Sequence, residues 1–169
     1  MAYDVEKLML EARKLAVNFR QATGKPLGIS NEIAVHDVIR LMQLEAVEAG
    51  GNGGYDAIGT GERAGKRIQI KGRSIASDSK SSQRIGQIKQ DKEWDSIMLI
   101  LLDDSYEPLE IYEAERQPIL DVVSQTSHKR RNRGALSVAR FKKIGRLVWR
   151  DESRSSSQDQ LPAVGDNNE

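Results

Sequence analysis

The 169-residue chain has no cysteine, only two histidines (His36 and His128) and 5% aromatic residues. Without thiols there can be no disulfide framework, zinc ribbon, thiolate nucleophile or iron–sulfur cluster. Two histidines exclude multi-histidine metal sites, so any metal would be a hard cation on oxygen ligands, chiefly carboxylates. So few aromatics leave no base-stacking pattern of the RNP type. No GxxxxGK[ST] stretch occurs, and the GxG at Gly59–Gly61 lacks both a third glycine at the right spacing and a helix start, so nucleotide-hydrolase readings fail. No apolar run approaches the ~18 residues of a membrane span. The N-terminal MAYDVEKLML lacks the basic and apolar regions of a secretory signal, and a cytoplasmic location is expected.

What is present is charge, and it is segregated. The formal net charge is +1 from 26 basic and 25 acidic residues. Residues 151–169 hold five acids (Asp151, Glu152, Asp159, Asp166, Glu169) against Arg154, so they carry −4 and leave +5 on residues 1–150. Between Arg63 and Lys92 nine bases face two acids, and between Lys129 and Arg150 nine bases face none. Asp103–Glu115 holds six acids and no base. Such zoning points to a face for a polyanion, with compensating acid elsewhere.

The periodicity predicts one α/β domain over 1–150. Val5, Leu8, Ala12, Leu15 and Phe19 recur at helical spacing, predicting an extra N-terminal helix over 1–22 that buries this stripe before the turn at Gly24-Lys25-Pro26. Ser30 is placed to cap a second helix, with Ile33, Ala34, Val38, Leu41 and Met42 inward and an end at Gly50-Gly51. A short strand at Tyr55–Ile58 and a second at Lys66–Lys71, where Ile68 and Ile70 alternate with polar residues, form a hairpin. Ser74–Gln83 reads as a polar loop. Ser96–Leu102 (SIMLILL) has the unbroken apolarity of a strand covered on both faces. Leu109 and Ile111 suit a neighbouring strand, Glu113–Ser124 reads as helix, and Arg146–Trp149 as a closing strand. Trp94 and Trp149 are expected to pack as core or rim, and Met9, Met42 and Met98 as core. Residues 151–169 replace apolar positions with Ser, Asn and acids, predicting a disordered acidic tail.

The order of Glu32 on a helix, Asp56 at a strand, and Gln69-Ile70-Lys71 on the returning strand resembles the PD-(D/E)xK nuclease superfamily. The resemblance covers residues 28–102. Tyr55 stands where that family has proline, and Gln69 where it has an acid, a glutamine form similar to that of Mrr-like restriction enzymes. GYDAIG, RIQIKGRS, DKEWDSIMLILLD and FKKIGRLVW also resemble segments of an uncharacterised family of small bacterial proteins. The superfamily resemblance implies a restriction-endonuclease-like core, a mixed central sheet flanked by helices, and Mg²⁺- or Mn²⁺-dependent cleavage of DNA, with defence against foreign DNA or DNA processing as its settings. It implies Glu32, Asp56 and Gln69 as metal ligands and Lys71 as the group that orients water and offsets charge on phosphorus. Two-strand cutting by so small a domain implies a homodimer. Gln87-Ile88-Lys89 and Gln90-Asp91-Lys92 also fit Q-x-K, but neither lies in an alternating strand. Asp37 is a rival to Glu32 on the same helix.

Arg73 follows Lys71 by two residues and so shares its strand face. Lys80 and Arg84, with Arg130, Arg131, Arg133, Arg140 and Lys142 of the second basic zone, complete the expected DNA-contacting set, which would bind phosphates without reading sequence. The competing reading is a catalytically inactive module of the same fold that binds DNA or a protein, supported by the neutral Gln69.

Overall fold

Seven successive buried residues, Ser96 to Leu102, place one strand at the centre of a six-stranded sheet. The computed structural model describes residues 4–47, 53–75, 83–126 and 136–155. Their order is α1 (Val5–Thr23), α2 (Ser30–Met42), β1 (Glu45–Ala46), β2 (Ala57–Ile58), a 3₁₀ turn (Gly61–Arg63), β3 (Arg67–Ser74), β4 (Arg84–Ile85) and β5 (Ser96–Leu102). There follow β6 (Pro108–Glu115), α3 (Arg116–Thr126), β7 (Leu136–Ser137), α4 (Val138–Ile144), β8 (Arg146–Arg150) and α5 (Glu152–Ser155). The sheet runs β1-β2-β3-β5-β6-β8, with β3 and β5 parallel and the other neighbours antiparallel. β4 and β7 form a separate two-stranded ribbon. The domain is mixed α/β, as its patterning predicts. Among the described residues no helix is long and apolar enough to cross a membrane.

Strand alternation sorts the core into two layers. Ile68, Ile70, Met98, Ile100 and Leu102 face one side, where α2 covers them with Ile33, Ala34 and Val38. Ile97, Leu99, Leu101 and Ala114 face the other, against Ile119, Val122, Val123, Phe141, Ile85 and Trp94. α2 approaches β3 closely at Gly72, where a Cβ would stand 2.4 Å from that of Ala34. The hairpin forms as expected, Ala57 opposite Ile68. Trp94 and Met98 are buried, and Met9, Met42 and Trp149 are partly so.

Several local expectations are corrected. α2 stops at Met42 rather than at Gly50-Gly51, because Gln43 turns left-handed (φ 54°) and Leu44 N–H bonds Ile39 O at 2.9 Å, sending the chain into β1. Ser30 is the first helical residue, with no side-chain cap at Ile29 before it. Glu113–Glu115 belong to β6, not to a helix, because Glu113 and Ala114 pair with Met98 and Ile97; α3 starts only at Arg116. Residues 152–155 form a helical turn that opens the expected tail, and Arg154 ion-pairs with Asp103 and Asp151. The rest of that tail, and 76–82 of the polar loop, lie outside the described residues.

The largest correction concerns α1. Of the expected buried stripe, Val5, Leu8, Leu15 and Phe19 stand exposed and Ala12 is half-buried, and Ala16 is fully buried instead. Polar anchors set this orientation: Arg13 pairs with buried Asp37 and donates to Tyr106 O at 2.8 Å, and Arg20 lies over the Tyr106 ring at 5.2 Å. Leaving Asp37 unpaired inside the core would cost more than exposing a few apolar side chains. Denaturant unfolding tests this: Leu15→Gln should change stability by under about 0.5 kcal/mol, while Ile33→Ala on α2 should cost about 2–5 kcal/mol. A Leu15 penalty equal to that of Ile33 would mean that the stripe is buried after all.

Candidate active site

The β2–β3 hairpin and the parallel β5 put Asp56, Gln69, Lys71 and Arg73 on one face of the sheet. Gln69, Lys71 and Arg73 alternate along β3 beside Ile97, Leu99 and Leu101. Asp56, just ahead of β2, is locked into the hairpin twice: its N–H donates to Ile68 O at 2.9 Å, and its Oδ2 accepts from Ile70 N–H at 2.7 Å. A carboxylate held by backbone cannot swing away.

Gln69 is buried, and its Nε2 donates to Gly54 O at 2.9 Å. This fixes the amide so that Oε1 is the free end, and Oε1 is buried without a hydrogen-bond partner. The Gly54 carbonyl is itself built in. Gly54 has φ 78°, and a Cβ there would lie 2.3 Å from Lys92 Cβ, so only glycine lets the 89–94 segment close over it. Arg116 staples that segment, donating to Lys92 O and Trp94 O at 2.8 Å and Gln90 O at 2.7 Å, with its guanidinium over the Trp94 ring. Neither Arg116 nor Gly54 was singled out from sequence, and no local pattern marks them, since their partners are distant in the chain.

The electrostatics of the row are unsatisfied. Burial raises the Asp56 pKa above the usual aspartate value, and the Ile70 N–H and the charge of Lys71 offset this only in part. Burial lowers the Lys71 pKa; Asp56 opposes that shift, while Arg73 and Lys89 add to it. Lys71 Nζ donates to Gln87 O at 3.3 Å.

Another charged cluster, centred on Glu113, behaves differently. Glu113 accepts from Arg63 Nε (2.9 Å), Lys66 Nζ (3.1 Å), Ser96 Oγ (3.0 Å) and Arg146 (3.4 Å). Burial alone would raise its pKa, but the hydrogen bonds and charges of Arg63 and Lys66 outweigh burial and hold it below the usual glutamate value. Both its oxygens are spoken for, which marks a structural cluster, whereas the Asp56 row keeps an orphaned acceptor and two disfavoured charges.

The remaining expected residues are placed as follows. Glu32 is exposed in the first turn of α2, the helix that covers the opposite face of β3, and among the described residues no hydrogen bond or ion pair joins it to Asp56, Gln69 or Lys71. Its rival Asp37 is buried against Arg13. Arg73 Nε donates to Arg84 O at 2.6 Å, bringing those two basic residues together. Arg140 is exposed at the start of α4, while Lys142 pairs with Glu110 at 3.6 Å and lies over Tyr112, so it stands at β6, two strands from β3. Lys80, Arg130, Arg131 and Arg133 lie outside the described residues. Among the described residues no three His, Cys, Asp or Glu are grouped to hold a metal. A Mg²⁺ ion needs no such group, since one carboxylate, a neutral oxygen, waters and substrate phosphate complete its shell, and Asp56 with the orphaned Gln69 Oε1 fits that donor set. No protein-family model and no curated protein matches the chain.

Two measurements check these electrostatics. Following the Lys71 ammonium by NMR, Asp56→Asn should lower its pKa further, because Asp56 is the group that opposes the burial shift; an unchanged value would show that the two do not interact. Glu113, with its depressed pKa, contributes stability that is present above the unfolded value of 4.5 and lost as pH falls through the folded value. Glu113→Gln should therefore cost about 2–4 kcal/mol at pH 7, less than for a fully enclosed pair because Arg146 stays in water, and the gap to wild type should close below pH 4.5.

Proposed function

We propose that this chain is a metal-dependent phosphodiesterase that cleaves DNA, with Asp56, Gln69 and Lys71 at its centre. The observation that carries the reading is the buried, partnerless Oε1 of Gln69 beside a carboxylate and a lysine whose charges the site itself disfavours. A phosphodiester repels nucleophiles with its own charge, so the catalyst must gather cations around a non-bridging oxygen. Mg²⁺ or Mn²⁺, when bound, supplies a water-derived hydroxide and stabilises the leaving oxygen. Asp56 and Gln69 are the protein ligands in this reading, both held by backbone so that their oxygens need no reorganisation. Lys71 orients the attacking water and offsets negative charge growing on phosphorus. The Lys71–Gln87 carbonyl bond limits its swing. Arg73, two residues on, bears on an adjacent phosphate. Glu32 is not needed as a ligand.

A second reading, a non-catalytic DNA-binding module, is favoured by Gln69 itself, a neutral ligand where an acid would bind metal more tightly.

Plasmid, branched and single-stranded DNA incubated with Mg²⁺ or Mn²⁺ decide between them. Cleavage is expected, falling by roughly 10²-fold or more in Asp56→Ala and in Lys71→Ala. Cleavage that survives both substitutions overturns the site. Salt-sensitive binding without cleavage selects the second reading, and no binding to any DNA removes both.

A further inference from the structure

At the C-terminal end of β3, three arginines from three different elements converge on one cleft. Arg20 of α1, Arg73 of β3 and Arg84 of β4 line a concavity of about 350 Å³ together with Ser30, Ser74 and Tyr106, and no carboxylate lines it. Seven other guanidinium groups are neutralised, Arg13, Arg40, Arg63, Arg67, Arg146, Arg150 and Arg154 each lying against an aspartate or glutamate, while Arg116 is held by backbone carbonyls and Arg140 stands alone and exposed on α4. Among the described residues Arg20, Arg73 and Arg84 have no such ion pair. They are positioned by neutral groups instead. Arg20 reaches Ser74 Oγ at 3.4 Å and lies over the Tyr106 ring, and Arg73 donates to Arg84 O at 2.6 Å. Arginine does not escape repulsion by losing its proton, so three of them in one concavity ask for an anion.

The rest of the wall supplies donors. The 13-residue helix α2 begins at Ser30, and Ile29 before it provides no side-chain cap, so first-turn amides are left for another acceptor. Tyr106, 1% exposed and held at φ 59°, backs the cleft, and its enclosed hydroxyl has no partner. Gly72 and Ser74 keep this end of the strand free of bulk.

We propose that this cleft binds a phosphate group. Guanidinium forks from several directions suit a tetrahedral oxyanion better than a planar carboxylate, for which one fork suffices. A cleft of about 350 Å³ falls within the ~300–1,000 Å³ of small-ligand sites, so the phosphate arrives with a body attached. That body is either a small phosphorylated molecule or a nucleic-acid strand. Arg73 is shared with the hydrolytic reading, but the inference does not rest on that reading, since Asp56, Gln69 and Lys71 do not line the cleft and Arg20 and Arg84 have no part in the proposed hydrolysis.

Thermal melts and calorimetry of the full chain with inorganic phosphate, against sodium chloride of equal ionic strength, test it. Phosphate should raise Tm, and its affinity should fall at least tenfold in Arg20→Gln and in Arg84→Gln. Arg20→Lys, which keeps the charge, should retain part of the effect, and far-UV circular dichroism verifies that each variant folds. A short DNA duplex that displaces phosphate identifies the strand as its source, while undisturbed phosphate binding in the presence of the duplex identifies a small molecule. Asp56→Asn should abolish cleavage and leave phosphate binding intact, which separates this inference from the proposed hydrolysis. No Tm shift beyond that of chloride, or a shift equal in wild type, Arg20→Gln and Arg84→Gln, overturns it.

Discussion

The burial of β5 on both faces is the constraint from which the rest of the fold follows. Seven consecutive residues out of water require a layer on each side, and every large apolar side chain so buried contributes about 1.5–3 kcal/mol. α2 supplies one layer; α3, α4 and the 85–94 segment supply the other. Once β5 is central, its parallel neighbour β3 is fixed in register, Gln69 beside Ile97 and Lys71 beside Leu99. The polar row of β3 then has only one place to go: under the 85–94 segment, half removed from solvent.

That placement explains why the two charged clusters differ in character. Glu113 gathers Arg63, Lys66, Arg146 and Ser96 around itself, and their attraction exceeds the cost of its burial. Asp56 has the Ile70 N–H and the charge of Lys71, and Lys71 has the charge of Asp56 and the Gln87 carbonyl, which is too little, so burial wins for both, raising the one pKa and lowering the other. A fold that keeps disfavoured charges side by side, next to an amide oxygen with no partner, spends stability there without structural return. Charges perturbed in this way cluster at functional sites.

The orientation of α1 shows a polar interaction overruling a hydrophobic pattern. A helix turns its apolar stripe inward when nothing else constrains it, but here Arg13 must meet Asp37, and Arg20 must meet Tyr106 and Ser74. The small Ala16 is the residue of α1 that is fully buried, and the larger apolar residues Val5, Leu8, Leu15 and Phe19 are left outside. The same rotation carries Arg20 to the end of β3, where it joins Arg73 and Arg84. One ion pair therefore shapes both the exposed face of α1 and the basic cleft behind it.

Strand period and apolar runs by themselves determined the central strand, the hairpin, the common face of Gln69, Lys71 and Arg73, and the mixed α/β class, because these depend on residues adjacent in the chain. The ends of α2 and β6 were not legible. They are decided by a left-handed Gln43 and by pairing of Glu113 and Ala114 with β5, neither of which leaves a local trace. Sequence leaves Glu32 and Asp37 as rivals on α2; Glu32 stands exposed on a helix that covers the opposite face of β3 from Lys71, and Asp37 is buried against Arg13. Only the tertiary structure decided which face α1 buries, which oxygen of Gln69 is left without a partner, and that Arg20 and Arg84 line one cleft. Each of these turns on contacts between segments far apart in sequence, and no periodicity within one segment encodes what the opposing segment will offer.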